Sequence, residues 1–384
     1  MKTWKIPLYK IFTDQEDLEA TAKVIRRGTF WAIGPEIEEF EKAAAEYVGR
    51  QYAVSFNSGT SALHALMLAC KIGDGDKVVV PSFTFIATAN APLFTGATPL
   101  FADVEQERFG LDVESVSQKV DDKVKAVMPM HYGGAVCRDI QLLKELTEER
   151  KIFLIEDAAE SLGSAVNGVK AGCFGDAAMF SFCGNKVITT GEGGIVVTDD
   201  GAISERLRLI RSHGRLESEP YFLTVKTLDY IELGYNWRMS SITAALGLSQ
   251  LKKMEKIISM RQDCAAYLSS NLKKMDWIKV PEKSEKSKHV YQMYTIRVTS
   301  GRKARDSLRS FLAEKGIMSK VYFEPVHLTY FYRKRFGYRE GELPITEKLS
   351  DEVLTLPIYP TMTKEEMNYL IECITEFSEN NHES

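Results

Sequence analysis

Between residues 50 and 200 the chain alternates short apolar runs with segments of helical period. The runs are "YAVSF" (52–56), "KVVVP" (77–81), "TPLFAD" (98–103), "KAVMPMH" (125–131), "IFLIED" (152–157), "AAMFSF" (177–182) and "GIVVTD" (194–199). Several are apolar almost throughout rather than at every second position. That pattern suits strands covered on both faces, and so a mostly parallel sheet. Helical patterns such as 61–73 and 139–151 lie between them. The alternation predicts an open, mixed α/β sheet with right-handed crossovers.

Further along, the pattern changes. Residues 244–275 form a long amphipathic stretch, suited to carry the chain from one domain to the next. "PEKSEKSKH" (281–289) reads as a charged loop. "VYQMYTIRV" (290–298) alternates like a strand, and 303–316 reads as a helix ended by Gly316. A last helix over 363–377 opens on Thr363 and acidic residues, which favour a helix start. The expectation is a large domain over 1–250 and a smaller α+β domain over 251–384.

Composition narrows the function. With 384 residues, 44% of them hydrophobic, the chain can bury a large core. A net charge of −4 gives no electrostatic reason to expect nucleic acid or an anionic membrane as partner. The six cysteines are scattered and form no CxxC pair, as expected of reduced thiols in a cytoplasmic protein. "MKTWKIPLYK" has no signal-peptide core, and no apolar run nears the roughly 18–20 residues of a membrane span. The histidines and cysteines make no metal-binding spacing.

In open α/β sheets, ligands bind beyond the carboxyl ends of the strands. Three of the predicted strand ends carry chemistry. "YAVSF" runs into "NSGTSAL", where Ser58, Gly59 and Thr60 open a helix whose first amides suit a phosphate. "IFLI" runs into "EDAAES", where Asp157 would be costly to bury unless paired. "AAMF" runs into "SFCGNK", with Ser181 and Lys186. Three glycines follow, at 191, 193 and 194. Taken singly, each has a plain structural use: a cap, a turn, a lysine snorkelling to water. The "GEGG" stretch is no dinucleotide fingerprint, because it precedes a strand rather than opening a helix after one. As a set, an anion cradle, a carboxylate and an amine are what pyridoxal phosphate (PLP) needs: a phosphate site, a partner for the ring nitrogen, and a Schiff-base lysine.

The segments "GPEIEEFE" (34–41), "NSGTSAL" (57–63), "VVPSFTFIATANA" (79–91), "EDAAES" (156–161), "SFCGNKVITTGEGG" (181–194), "GYNWRMSSITAALGLSQL" (234–251) and "LPIYP" (356–360) resemble the DegT/StrS sugar-nucleotide aminotransferases, fold-type I PLP enzymes. Within that family, "GNKVITTGEGG" and Glu160 look most like the branch that aminates C4 of a GDP-4-keto-6-deoxy sugar. The resemblance implies roles residue by residue. Lys186 would bond the cofactor and shuttle a proton. Asp157 would pair with the ring nitrogen. Ser58, Gly59, Thr60 and Ser181 would hold the phosphate, Phe85 would stack on the ring, and Glu160 would lie near its phenolic oxygen. Asn236 would reach the partner subunit's cofactor, which implies a homodimer with shared sites. Trp31, His213, Arg238 and His327 are candidate contacts to a nucleotide sugar, with L-glutamate as amino donor. A related deoxysugar dehydratase carries histidine in place of the lysine, so Lys186 argues against that activity. Keeping Lys186, Asp157 and the phosphate residues together argues against a non-catalytic protein on the same fold.

Overall fold

The computed structural model describes residues 3–216, 224–282 and 284–382. All seven apolar runs fall in one sheet. Its strands are β1 (Tyr52–Phe56), β2 (Lys77–Pro81), β3 (Thr98–Ala102), β4 (Val124–Val127), β5 (Phe153–Asp157), β6 (Ala177–Ser181) and β7 (Gly194–Thr198), in the order β1-β7-β6-β5-β4-β2-β3. Pairings from β3 across to β6 are parallel, and β7 runs antiparallel to both its neighbours. The near-continuous apolar pattern has the expected cause. Ala53, Val79, Val127, Leu154, Ala178 and Val197 enter one hydrophobic cluster, while Val54, Val80, Ala126, Ile155, Ala177 and Val196 enter another on the opposite face. Both faces are therefore dry, and parallel neighbours need helices to cover them.

A second, three-stranded sheet pairs Ile278–Lys279, Tyr294–Val298 and Val353–Leu356 around its own cluster. Ile6 joins that cluster and pairs with Ile317, so the first described residues pack on the C-terminal part of the chain. An aromatic cluster of Phe83, Phe109, Tyr132 and Phe323 bridges the two sheets. Among the described residues, no helix is long and apolar enough to cross a membrane.

Three predicted elements change shape. The 125–131 run is a continuous strand only over Val124–Val127; Met130 still bridges Asp157, and the segment then leads into a turn over Tyr132–Gly134. The 290–298 run is a strand only over Tyr294–Val298. Tyr291 takes a left-handed φ of 50°, and the amides of Val290 and Met293 donate to the carbonyls of Gly134 and Gly133. The 244–275 stretch is two helices, Ser241–Lys252 and Met254–Leu272, broken at Lys253.

Lys253, at the break, is held by charge. Its ammonium lies 2.6 Å from Asp14 Oδ1 and 2.7 Å from Asp17 Oδ1, with Lys253 8% and Asp17 3% exposed at the side chain. Ser249 and Gln250 also donate to Asp17. The N-terminal helix Gln15–Arg27 is thus docked onto the joint by a charge cluster in which Lys253 and Asp17 are buried and Asp14 lies at the edge. Removing one member of a buried pair strands the other and costs about 3–5 kcal/mol. Lys253→Met should therefore lower stability by about 3 kcal/mol, read as a shifted midpoint in denaturant with unchanged slope. A shift under about 1 kcal/mol would show that the pair contributes little.

Candidate active site

The cradle forms where β1 ends. Ser58 caps the helix Gly59–Ala69, its hydroxyl accepting the Ser61 amide at 3.1 Å. An α-helix leaves its first amides without intrahelical partners, and here they open at a strand end beside exposed Thr60. β7 presses directly against this turn. A Cβ on Gly194 would lie 2.5 Å from the Ser58 carbonyl oxygen and 2.7 Å from the Gly59 nitrogen. Those are backbone atoms that cannot swing aside, so glycine at 194 is a condition of the cradle's shape.

Asp157 ends β5, only 4% exposed. Its Oδ2 accepts the Thr88 hydroxyl at 2.6 Å and its Oδ1 the Ala159 amide at 3.1 Å. Thr88, on the helix Ile86–Leu93, is itself paired at 2.7 Å to Thr84, which precedes the helix. Burial lifts the Asp157 carboxyl above the ordinary carboxylate range; the Thr88 hydroxyl, the Ala159 amide and the charge of Lys186 offset this only in part. Such a carboxylate is short of positive charge, and a cation set against it would be strongly held.

Lys186 lies in the loop between β6 and β7, its side chain 13% exposed, with Nζ 3.5 Å from Glu160 Oε1. The other Glu160 oxygen accepts the Gly133 amide at 2.9 Å. Burial raises the Glu160 carboxyl, while the Lys186 charge and the Gly133 amide pull it back. Phe85 caps the helix that carries Thr88 and is 57% exposed. It is therefore no core aromatic, and the ring is free to meet a ligand.

Four further candidates share one strip. The Trp237 carbonyl accepts the Asn57 amide, and the stacked rings of Tyr235 and Trp237 pack on His64 of the cradle helix. Asn236, between them in sequence, is exposed. His213 is exposed at a left-handed φ of 64°, its amide donating to the Tyr235 carbonyl. Arg238 Nη1 donates to Ser212 at 3.3 Å, and the carbonyl of half-exposed Trp31 accepts the Ser241 amide. His327 is a correction. Its ring is fully buried, with Nδ1 2.7 Å from Ser82 Oγ and Nε2 3.3 Å from Glu347. It clamps the turn Val326–Leu328 to the end of β2 and has no face left for a substrate.

Sequence reading missed Thr88 and Tyr322. Thr88 lies in the helix and Thr84 before it, so no helix-face pattern in the sequence marks the pair. Tyr322 comes from the C-terminal part and lies within electrostatic reach of Glu160, Lys186 and Tyr9. Nothing local in sequence marks it.

The sequence profile of the DegT/DnrJ/EryC1/StrS aminotransferase family matches residues 12–375. GDP-perosamine synthase of Escherichia coli O157:H7 is 36% identical over 372 residues, spanning 97% of this chain and 98% of that protein. Among solved structures, Helicobacter pylori PseC, an aminotransferase involved in the biosynthesis of pseudoaminic acid, matches with a TM-score of 0.91 at 26% identity, over 99% of this chain and 100% of that one. S. venezuelae DesV matches with a TM-score of 0.88 at 31% identity, over 98% and 99%. The chain belongs to the DegT/DnrJ/EryC1/StrS aminotransferase family and is a PLP-dependent sugar aminotransferase. Its residues fit the cofactor: an anion-suited helix start, a buried carboxylate short of a cation, and a partly desolvated amine.

The raised Asp157 carboxyl carries a stability consequence. A carboxyl whose folded pKa exceeds its unfolded value binds its proton more tightly when folded, so ionisation costs stability as pH rises between the two values. Cofactor-free Asp157→Asn should then be at least as stable as wild type at pH 7.5, within about 0.5 kcal/mol or better, the advantage vanishing in acid. Denaturant titrations at pH 7.5 and pH 4 check this; a clear loss at pH 7.5 would mean that the carboxylate is structurally required.

Proposed function

We propose that the chain transfers an amino group from L-glutamate to the keto carbon of a nucleotide-linked deoxysugar, with C4 of a GDP-linked 4-keto-6-deoxy sugar as the first choice. The observation that carries the reading is the convergence of Asp157, Glu160 and Lys186 beyond β5 and β6, beside the Ser58 cradle. The GDP-sugar choice rests on similarity to GDP-perosamine synthase. When bound, PLP supplies an aldehyde that takes up the amino group and a ring that accepts electron density.

The chain's own residues do the rest. Lys186 would hold the cofactor through its amine and supply the base that carries a proton. Asp157 would pair with the ring nitrogen and favour its protonated form, where negative charge developing in the ring gains a partner. Ser58, Gly59, Thr60 and Ser181 would hold the phosphate, and Phe85 would pack on the ring. Glu160, close to the lysine amine, would lie near the phenolic oxygen. Trp31, His213 and Arg238 line the approach for the nucleotide sugar. The protein works as a homodimer in the cytoplasm, with Asn236 crossing to the partner's site. Residues 1–250 form the cofactor-binding domain and 251–384 the smaller one.

A coupled assay over 4-keto and 3-keto sugars carrying GDP, dTDP or UDP tests the substrate. Lys186→Ala should fold, lose the borohydride-sensitive absorbance band and lose turnover; wild-type-like turnover in this variant would sink the assignment. Asp157→Asn should bind cofactor yet turn over at least about tenfold more slowly, since losing a buried charge partner costs a few kcal/mol at about 1.4 kcal/mol per tenfold.

Shared sites make a separate prediction. A Lys186→Ala chain can lend its Asn236 to a partner that lacks it. Co-expression of Lys186→Ala with an impaired, Lys186-intact Asn236→Ala chain under two tags should restore one complete site per mixed dimer. Recovery of activity in the doubly tagged fraction supports the shared site. No recovery, with both parents folded and dimeric, places Asn236 in its own chain's site or outside catalysis.

A further inference from the structure

Glu156 and His131 take no part in the roles assigned so far, yet both side chains are completely buried. Consecutive strand residues face opposite sides of a sheet, so Glu156 points away from the face that Asp157 presents. Its carboxylate is saturated. Oε2 accepts His131 Nε2 at 2.8 Å and the Gly172 amide at 2.7 Å; Oε1 accepts the amides of Phe174 and Gly175, each at 2.8 Å. The Cys137 amide donates to His131 Nδ1 at 3.1 Å, which places the ring proton on Nε2, toward Glu156. Burial opposes ionisation of Glu156, but the His131 hydrogen bond and the amides of Gly175 and Gly172 outweigh it and hold its carboxyl below the ordinary carboxylate range.

What this pair grips is the turn after β4. The His131 amide donates to the Asp157 carbonyl at 3.0 Å. Two residues on, the Gly133 amide donates to Glu160 Oε2 at 2.9 Å, from a turn in which Gly133 and Gly134 both have left-handed φ. Glu160 is faced by Lys186, by Asp157, and by Tyr132 and Tyr322 from the turn and the C-terminal part. The position of its carboxylate against Lys186 thus depends on where the 131–133 turn is held.

We propose that Glu156 and His131 are a positioning pair: from the back of the sheet they lock the 131–133 turn, and through its amides they fix Asp157 and Glu160 relative to Lys186. The proposal rests on reading those three residues as the reacting centre. A carboxylate saturated by donors from two separate loops is a stiff joint, because each oxygen has two partners and no direction in which to slide.

The experiment compares three variants of the full chain with cofactor bound. Glu156→Gln keeps the shape but leaves one end unable to accept. His131→Gln keeps the Glu156 carboxylate on its three amides and so preserves the fold if Glu156→Gln does not. Glu352→Gln is the control, a buried carboxylate paired with Arg297 in the second sheet at 2.8 Å. In His131→Gln, and in Glu156→Gln where it folds, the pH midpoint of the bound-cofactor absorbance should move by about half a unit or more. In the same variants kcat should fall about tenfold with KM within about twofold. Glu352→Gln should lose stability and move neither. Hydrogen exchange at the Gly133 amide reads the tether without reference to the cofactor and should speed up about tenfold in His131→Gln, and in Glu156→Gln where it folds, but not in Glu352→Gln. An unmoved midpoint in His131→Gln, or an equal shift in Glu352→Gln, overturns the positioning role. If Gly133 exchange responds but wild type shows no absorbance band that depends on Lys186, it is the reading of the reacting centre that fails, and the tether stands.

Discussion

A β-strand sends consecutive side chains to opposite faces, and at the end of β5 both of those side chains are carboxylates. Neither faces water. Each must find its compensation on its own side of the sheet, and the two sides solve the problem differently. On the back face Glu156 is met by four donors and is comfortable as an anion. On the front face Asp157 has a hydroxyl and one amide, and burial leaves it short. Satisfied behind and unsatisfied in front, the strand end is rigid and still able to bind a cation. A front carboxylate with four donors of its own would be as stable and would gain far less from a positive ring nitrogen.

The opposite signs fix opposite pH behaviour within one dipeptide. Glu156, its folded pKa depressed, adds stability above the ordinary carboxylate range that is lost as pH falls through the folded value. Asp157, its folded pKa raised, subtracts stability as pH rises through that range. Near neutrality the first term supports the scaffold while the second is a debt that a bound cation cancels. If Asp157 faces the cofactor's ring nitrogen, as proposed, cofactor binding and folding are coupled through it, with Glu156 holding the scaffold behind.

Much of the frame was legible in the chain because its causes are local. Strands dry on both faces must be apolar nearly throughout, and all seven were. A helix opening on Ser58 after a strand needs only its own cap to form, and Lys186 stands out because its loop is glycine-rich. The misreadings share a different cause. At the helix break, Lys253 meets Asp14 and Asp17, which lie far away in sequence. The 290–298 alternation is interrupted because Gly133 and Gly134 accept amides from that segment. His327 resembled a ligand contact because its partner, Ser82, lies 245 positions away. Glu156 left no trace for the same reason: all of its donors come from residues 131 and 172–175, and a one-letter code next to Asp157 cannot show which face is satisfied.

Close approach completes the picture. Gly194 lets β7 lie against the Ser58 carbonyl, and β7 is the strand that runs against the direction of its neighbours. Reversing one strand brings its amino end, and with it the loop from Lys186, to the edge where the parallel strands have their carboxyl ends. A parallel strand in that place would deliver its start to the opposite edge and carry the lysine loop away from Asp157. The single antiparallel strand and the glycine that lets it fit are thus what place an amine beside a cradle and a carboxylate that the remaining strands supply.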